Sequence, residues 1–360
     1  GFRNDKQPEQ VGIESPESIS HIKEEVNETL KEASPVRSSL RTSTSPGSNW
    51  KLLEKKAPAQ HEDVVIDGCT ITLTDVSRPV WKDVPKAKLL EYYHRVTPLM
   101  LPHLADRPLS LHVKPLGATQ PGLYIKDMEG RQPACADIFR DTRRHEKKGK
   151  RNVIEYLVCN NEATLLYTIN LGCVDVNSWM SRAASINEPD FINIDLDPSD
   201  DDFSKVVNVA KCAEDVLKSK KLKAFLKTSG KTGIHIFIPV RSLDFAQARS
   251  FSARLGKEIH ELVPEISTIA ISKRERGNKV LIDPSQNDYA DTLACVYSVR
   301  PSAQPAVSTP LAWKELKSSL DPASFTIDTI EKRIARKGDL FEDVLDEKIR
   351  ARNTSLLLKL

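Results

Sequence analysis

The segment FINIDLDP (Phe191–Pro198) alternates apolar and polar side chains and is the clearest strand in the chain. Successive side chains of a strand point to opposite faces, so the isoleucines and the leucine share one face. The other face carries Asn193, Asp195 and Asp197. Two carboxylates at positions i and i+2 near a strand end suit a hard cation such as Mg²⁺ or Mn²⁺. Alternatively, Asp197-Pro198-Ser199 only turns the chain before the next helix, which residues Ser199–Asp202 are available to cap.

A glycine-bearing turn, KTSGKTGIH (residues 227–235), leads into a second apolar strand, IHIFIPV. Its backbone N–H groups, the Ser229 hydroxyl and the Lys231 ammonium could hold a phosphate, although the spacing is not that of a Walker A loop. Strand alternation places His235 and Phe237 on the face opposite the isoleucines. The structural alternative is a β-turn followed by a core histidine.

A third apolar strand ends in an acidic residue, within KVLIDPSQN (residues 279–287). Asp283 would complete a triad of carboxylates with Asp195 and Asp197; otherwise it is a turn residue before a proline. Four nearby basic residues could clamp phosphates or simply form a solvated surface. They are Lys273, Arg274, Arg276 and Arg300.

The composition excludes several classes of protein. The chain has 360 residues and a formal net charge of +3, so affinity for nucleic acid must come from local patches. No apolar run reaches about 18 residues and the start lacks a secretory h-region, so we expect no membrane span and no signal peptide. The six cysteines are scattered, which argues against a zinc site and a disulfide framework and favours a reducing cytosol.

The pattern along the chain predicts three segments. Residues 1–60 are rich in Ser, Pro, Glu and Lys, and we expect a largely disordered linker. Residues 61–345 mix strands with helices, including a strand over Val64–Val76 and a helix over Lys86–Met100, which predicts one α/β (α+β) domain. Residues 346–360 are expected to be a C-terminal tail, and residues 331–353 are expected to form a charged terminal helix with a solvated face.

The order of these motifs is that of a known family. From about Ile66 to about Leu340 the chain resembles the polymerase domain of bacterial DNA ligase D, a primase-type polymerase of non-homologous end joining. The shared segments include LTDVSRPVW, MLPHLADRPLSL, PGLYIK, DLDP, KTSGKTGIH and ISKRERGNKVLIDPSQN. The resemblance implies a primase-polymerase fold, with mixed or antiparallel sheets flanked by helices and an RRM-like catalytic half. The opening residues, GFRNDKQPEQV, resemble the end of an ATP-dependent ligase domain, which implies a larger parent protein.

The resemblance also implies roles for individual residues. It makes Asp195, Asp197 and Asp283 the metal ligands and the catalytic residues. The positions that match the family's nucleotide contacts follow the sequence order of its motifs. They are Lys126, Asn177, Ser229, Gly230, Lys231, His235, Arg276, Gln286 and Arg300.

Further residues match positions that contact DNA in the family. Leu123 and Tyr124 stand where two phenylalanines touch the template strand. Arg78 and Lys86 match a basic pair that recognises a 5′-phosphate across a gap. The chain departs from the pattern at Leu123, at Lys231, which is one position early, and at Asn177, where the family has a histidine. The loop Arg140–Arg151 is unusually basic and carries no recognisable motif; it is either solvated or a DNA-backbone contact.

The implied activity is template-directed nucleotidyl transfer that extends or fills gaps at double-strand break ends. It would use nucleoside triphosphates, preferably ribonucleotides, and two ions of Mn²⁺ or Mg²⁺. The implied partners are DNA ends with a 5′-phosphate, Ku and an ATP-dependent ligase domain of the same polypeptide, in the bacterial cytosol at the nucleoid. Two alternatives stay open: a stand-alone RNA primase, disfavoured by the Arg78–Lys86 pair, and a catalytically idle DNA-end-binding module, disfavoured by the intact aspartates.

Overall fold

The computed structural model describes Glu24, residues 61–142 and residues 153–360. Apart from Glu24, the predicted linker lies outside the described residues, as does most of the basic loop. No helix in the described part of the chain combines the length and the apolar character needed to cross a membrane.

The described residues form two compact units. Of the described residues, the N-terminal unit contains Glu24, residues 61–142, residues 153–178 and Pro301–Pro305. The C-terminal unit contains Trp179–Arg300 and Ala306–Leu360. Residues 61–345, predicted as one domain, therefore contribute to both units.

The N-terminal unit opens with a hairpin where one strand is predicted over Val64–Val76. Strand β1 (His61–Ile66) pairs antiparallel with β2 (Cys69–Thr74). Between them, Asp67 and Gly68 both adopt positive φ, 51° and 77°. Asp-Gly is a favoured pair for a two-residue hairpin turn, because both positions of a type I′ turn need positive φ. The apolar pattern continues across this turn and conceals it.

The other elements of the N-terminal unit are two helices and seven strands. They are β3 (Pro79–Trp81), β4 (Val84–Pro85), α1 (Lys86–Leu104), β5 (Leu109–Val113), β6 (Leu123–Ile125), β7 (Asp137–Asp141), β8 (Ile154–Val158), α2 (Glu162–Asn170) and β9 (Cys173–Trp179). Strand β5 pairs antiparallel with both β6 and β9, and β7 pairs antiparallel with β8. The predicted helix over Lys86–Met100 is confirmed and runs one turn further.

A disulfide links Cys69 in β2 to Cys135, which precedes β7, with their Cα atoms 5.9 Å apart. The expectation of no disulfide is therefore wrong for this pair, because the fold joins residues 66 positions apart in the chain. The other four cysteines, all within the described residues, are free thiols.

The C-terminal unit contains seven strands and five helices of the α type. They are β10 (Phe191–Pro198), α3 (Phe203–Ser219), β11 (Phe225–Thr228), β12 (Ile234–Pro239), α4 (Phe245–Leu262), β13 (Ser267–Thr268), α5 (Lys273–Arg276), β14 (Val280–Asp283), β15 (Thr292–Ala294), β16 (Pro310–Leu311), α6 (Ile330–Lys337) and α7 (Glu347–Leu357). The side chain of Asp202 caps α3 by accepting a hydrogen bond from the Ser204 N–H, as the sequence predicts.

Six of these strands form one sheet in the order β13-β14-β10-β12-β11-β16. All neighbouring pairs are antiparallel except β13–β14, which is parallel. One face of the sheet is apolar, and helices α3 and α4 contribute their apolar stripes to the same core. Ile192, Ile194 and Ile236 are fully buried in that core. The mixed α/β class with antiparallel sheets is confirmed.

The predicted C-terminal tail is a packed helix of the C-terminal unit. In α7, Arg350 donates to the Val240 carbonyl oxygen at 2.9 Å and pairs with Asp190 at 2.6 Å. Asn353 is fully buried and donates to the carbonyl oxygens of Lys223 and Pro239. The charged helix that the sequence predicts here is present as α7, but several of its side chains have partners elsewhere in the unit, which local composition does not reveal.

Candidate active site

Four charged or titratable side chains stand in one line across the sheet of the C-terminal unit. Lys227 on β11 is opposite His235 on β12, His235 is opposite Asp195 on β10, and Asp195 is opposite Asp283 on β14. Directly opposite residues of antiparallel strands project to the same face, with Cα atoms about 4.5–5.5 Å apart. We call Lys227, His235, Asp195 and Asp283 the active-site row. It lies on the face away from the isoleucine core.

The three predicted carboxylates share this face but differ in environment. The side chain of Asp195 is 18% exposed and that of Asp197 is 46% exposed, whereas Asp283 is buried. An Oδ1 of Asp283 accepts hydrogen bonds from the N–H and the hydroxyl of Ser285. Arg276 Nη1 lies 4.0 Å from Asp197 Oδ2. The structure thus places the three aspartates on one face of the sheet.

The three carboxylates are chemically suitable ligands for a divalent cation. Carboxylate oxygens are the preferred ligands of Mg²⁺ and Mn²⁺. Like charges directly opposite each other in a sheet, as at Asp195 and Asp283, are destabilising, and a bound cation offsets that repulsion. Among the described residues, however, no three His, Cys, Asp or Glu side chains are gathered closely enough to form a ready-made metal cluster.

The predicted phosphate turn is closed by its own serine. Ser229 Oγ accepts hydrogen bonds from the N–H groups of Lys231, at 3.2 Å, and Gly233, at 3.0 Å. The Ser229 N–H donates to the Gly233 carbonyl oxygen. Two of the N–H groups expected to bind a phosphate are therefore already hydrogen-bonded to Ser229 Oγ. The hydroxyl proton of Ser229 can then point out of the turn and donate to a ligand.

Two glycines are needed in this turn because other chain segments come close. Gly230 has φ +76°, and a Cβ there would lie 2.3 Å from Arg300 Cγ. A Cβ on Gly233 would lie 2.5 Å from the Leu196 carbonyl oxygen. The turn can therefore seat against both β10 and Arg300. Lys231 is exposed, and Gln286 is half-buried three residues after β14 ends.

His235 is buried beside Lys227, a residue to which the sequence assigned no role. His235 Nδ1 lies 2.9 Å from Lys227 Nζ, and its Nε2 lies 3.6 Å from Asp195 Oδ1. Burial, with the positive charges of Lys227 and Arg300, lowers the pKa of His235 well below its ordinary value. Burial, then the charge of Arg300, lowers the pKa of Lys227 to about 7, while Cys295 and Asp195 oppose this shift. The lowered pKa of His235 favours the neutral form of its imidazole.

Asn193 is a second polar residue of this face without an assigned role. It is fully buried, and neither polar atom of its side-chain amide has a hydrogen-bond partner among the described residues. Its backbone N–H and C=O groups are hydrogen-bonded to the side chain of Asn287, which continues the pairing beyond the end of β14. Strand position is the signal by which both residues could have been found: Asn193 shares the polar positions of β10, and Lys227 is the charged residue of the short strand FLKT.

The predicted template contact at Tyr124 is an exposed stacked ring of the N-terminal unit. Tyr124 is 62% exposed and stacks on His112, with ring centroids 4.3 Å apart and an interplanar angle of 5°. His112 Nδ1 lies 3.0 Å from Asp175 Oδ1, which orients the imidazole. Leu123 is half-buried beside it. An aromatic face held open to solvent in this way can stack on a nucleobase.

Two predicted nucleotide contacts belong to the N-terminal unit. Lys126 is half-buried just after β6, and Asn177 is buried in β9 opposite Ser110 of β5. The remaining predicted contacts, from Ser229 to Arg300, belong to the C-terminal unit.

The two basic residues predicted to bind a 5′-phosphate differ in solvent exposure. Lys86 is only 2% exposed, and its ammonium donates to the Asn170 carbonyl oxygen at 3.1 Å and to the Thr74 hydroxyl at 3.4 Å. Arg78 is half-buried and donates to the Pro115 carbonyl oxygen. Lys86 is therefore a structural residue at the start of α1 in this conformation, and only Arg78 has surface to offer a phosphate.

Known proteins resemble this chain over most of the described residues. The family model described as "LigD, primase-polymerase domain" matches residues 85–341. The "Bifunctional non-homologous end joining protein LigD" of Bacillus subtilis (strain 168) is 28% identical over 290 residues, which are 78% of this chain and 46% of that protein. The "Multifunctional non-homologous end joining DNA repair protein LigD" of Mycobacterium tuberculosis (strain ATCC 25618 / H37Rv) is 27% identical over 76% of this chain and 36% of that protein.

A solved structure agrees with these matches. The "Polymerase Domain from Mycobacterium tuberculosis Ligase D in complex with DNA" superimposes with a TM-score of 0.69 and 25% sequence identity. The superposition covers 76% of this chain and 96% of that domain. The chain thus spans less than half the length of the two LigD proteins but nearly all of the solved polymerase domain. This chain belongs to the LigD primase-polymerase domain family.

Proposed function

We propose that this chain is a template-directed nucleotidyltransferase that extends or fills gaps at double-strand break ends in non-homologous end joining. The observation that carries the proposal is the active-site row, which sets two opposed carboxylates beside a buried histidine on one face of a sheet. Membership of the LigD primase-polymerase domain family supports the same reaction. Such a reaction needs positioned charge and no covalent intermediate on the protein.

Asp195, Asp197 and Asp283 would hold the divalent ions, Mn²⁺ or Mg²⁺. Bound divalent ions would supply activation of the primer 3′-hydroxyl and neutralisation of the charge on the triphosphate. Arg276, which lies beside Asp197, is placed to add positive charge next to the carboxylates. A cation of this kind favours the charge that develops on transferred phosphoryl oxygens.

The phosphate turn and His235 would bind the incoming nucleoside triphosphate. The outward proton of the Ser229 hydroxyl is one donor, and Arg300, whose stem packs on Gly230, is a second cation beside the same turn. His235 would donate from the ring nitrogen that faces Asp195. These groups hold the triphosphate by charge-assisted hydrogen bonds, which are stronger than neutral ones.

On the DNA side, Tyr124 would stack on a template base and Arg78 would contact a 5′-phosphate. The solved polymerase domain of a relative is in complex with DNA, and the LigD relatives are named for non-homologous end joining. We extend both properties to this chain, together with Ku and an ATP-dependent ligase domain as partners in the bacterial cytosol. The basic residue Arg140, whose side chain is 69% exposed, adds charge that could meet the DNA backbone.

The test is extension of a primer across a gapped duplex, with a 5′-phosphate or a 5′-hydroxyl at the far side of the gap. Ribonucleotides and deoxynucleotides are compared, each with Mg²⁺ or Mn²⁺. We expect templated extension by the wild-type chain, and none by Asp195→Ala, with DNA binding preserved in the variant. Binding without extension in the wild type would support the idle end-binding module. Synthesis without a primer, and indifference to the 5′-phosphate, would support the stand-alone primase.

A further inference from the structure

Lys227 is a charged residue in an unusual place. It is fully buried in β11, yet it belongs to the active-site row rather than to the isoleucine face. A buried ammonium is unfavourable unless its N–H groups are hydrogen-bonded. Its neighbours therefore indicate what keeps it there.

The hydrogen bonds of Lys227 are directional. Its Nζ lies 2.7 Å from Ser308 Oγ and 2.9 Å from His235 Nδ1. The hydroxyl of Ser308 donates its single proton to the Thr228 carbonyl oxygen at 2.8 Å. Ser308 must then accept from Lys227, and this bond anchors the lysine between the strand and the imidazole.

The contact with His235 decides where the imidazole carries its proton. A protonated lysine has three donors and no lone pair, so it can only donate to Nδ1. A neutral imidazole that accepts at Nδ1 carries its proton at Nε2. That nitrogen lies 3.6 Å from Asp195 Oδ1, on the side of the carboxylates. The N–H bond therefore points into the candidate active site.

We propose that Lys227 is a positioning residue that holds His235 in the tautomer protonated at Nε2, so that the imidazole donates to a phosphate oxygen of the incoming nucleotide. This inference rests on the proposed function for its second half only. Lys227 itself touches no substrate. With the other tautomer, the lone pair of Nε2 would face the phosphate and repel it.

The first experiment reads the tautomer directly, by NMR of the imidazole nitrogens in protein labelled with ¹⁵N-histidine. It is run at pH 6, below the pKa of Lys227, so that the ammonium form predominates. The His235 signals are assigned from their loss in His235→Asn. We expect the Nε2–H tautomer in the wild type and a shift towards Nδ1–H in Lys227→Met. Lys223→Met, which removes an exposed lysine just before β11, is the matched control and should leave the tautomer unchanged.

The second experiment measures nucleotide use by the same proteins in gap filling. A hydrogen bond to a charged group is involved, so KM for the nucleotide should rise about tenfold to hundredfold in Lys227→Met. DNA affinity should stay within about twofold of wild type. Ser308→Ala keeps the Lys227 ammonium but removes the hydroxyl that anchors it. This variant should change the tautomer and KM in the same direction as Lys227→Met, but to a smaller extent. It also replaces Lys227→Met as the test if that variant does not fold.

The outcomes separate the two proposals. A wild-type His235 protonated at Nδ1 overturns the inference, whatever the activity. Unchanged tautomer and KM in folded Lys227→Met, or in Ser308→Ala, overturn it as well. A wild-type protein that shows the Nε2–H tautomer under the control of Lys227 but transfers no nucleotide refutes the proposed function and the phosphate contact, and leaves the positioning of His235 standing.

Discussion

The two faces of the six-stranded sheet are made by the same strands but follow opposite rules. On one face, Ile194 and Ile236 are directly opposed and buried with the apolar residues of α3 and α4. On the other, Asp195 is opposed to both His235 and Asp283. Burial of apolar area stabilises the first face by about 25 cal/mol per Å². The second face gathers charges that a sheet selected for stability alone would avoid.

The contrast between the two faces distinguishes residues that serve the reaction from residues that stabilise the fold. Charges that destabilise their own neighbourhood, such as the opposed aspartates and buried Lys227, persist where chemistry needs them. A third group, at the sheet edge, is charged and stabilising: Arg333 pairs with both carboxylate oxygens of Glu315. The predictions that follow test whether activity and stability separate along these lines.

The largest effect is expected on the charged face. Asp195→Asn should lower the rate of nucleotidyl transfer by at least about 10²–10³-fold, because an electrostatic contact to the reacting groups is lost. Its melting temperature should stay equal to wild type or rise, because the repulsion with Asp283 disappears. Extension assays and thermal unfolding of the same preparation measure both. A variant that melts early would place Asp195 among the residues that hold the fold.

The apolar face should behave in the opposite way. Ile236 is fully buried between Ile194 and Leu226, its cross-strand neighbours. Ile236→Ala should lower the free energy of unfolding by about 2–5 kcal/mol, because transfer and cavity terms add. Denaturant unfolding gives the loss, and activity per folded molecule should remain near wild type. If the rate falls while stability is kept, the two faces are not separable.

The sheet edge provides a pH test. Burial raises the pKa of Glu315, but hydrogen bonds from Arg333 and the Ala312 N–H, and the charges of Arg333 and Lys337, outweigh it and lower that pKa to about 2. The folded pKa is below the ordinary value of 4.5, so this stabilisation is complete above pH 4.5 and is lost as the pH falls towards 2. Glu315→Gln should cost about 1.5–3 kcal/mol at pH 7.

The same variant should lose its disadvantage as the solution is acidified, because wild-type Glu315 is then protonated too. Unfolding curves from pH 7 down to pH 2.5 measure the difference between the two proteins. A constant difference across this range would mean that the ion pair with Arg333 contributes nothing. Nucleotidyl transfer at pH 7 should be unaffected in the folded variant.

The smallest effect is expected at the start of α4, which covers the apolar face. Asp244 Oδ1 accepts from the Gln247 N–H at 2.7 Å, and the Gln247 side chain accepts from the Asp244 N–H in return. Asp244→Ala should cost about 1 kcal/mol, the usual value of a helix N-cap. Thermal unfolding resolves it, and Asp244→Asn, which keeps an acceptor, should be nearly neutral. Equal losses in the two variants would point to charge rather than capping.

Much of the fold could be predicted from patterns among residues that are close in sequence. The alternation in Phe191–Pro198 identified β10 and its charged side, and the residues near Asp202 indicated the start of α3. The position of a side chain on a strand face depends only on its neighbours in sequence. The Asp67–Gly68 turn was also local, but the apolar residues on both sides of it hid the end of one strand and the start of the next.

Strand alternation is enough to predict that Asp195, His235 and Asp283 face away from the core, because a period of two needs no tertiary partner. Alternation could not predict that Lys227 contacts His235, that Cys69 is bonded to Cys135, or that the ammonium of Lys86 is enclosed. The contact between Lys227 and His235 depends on the register between β11 and β12. The other two contacts join residues that are 66 or more positions apart in the chain. Local periodicity places a side chain on a face, but only the pairing of distant segments brings it to a particular neighbour.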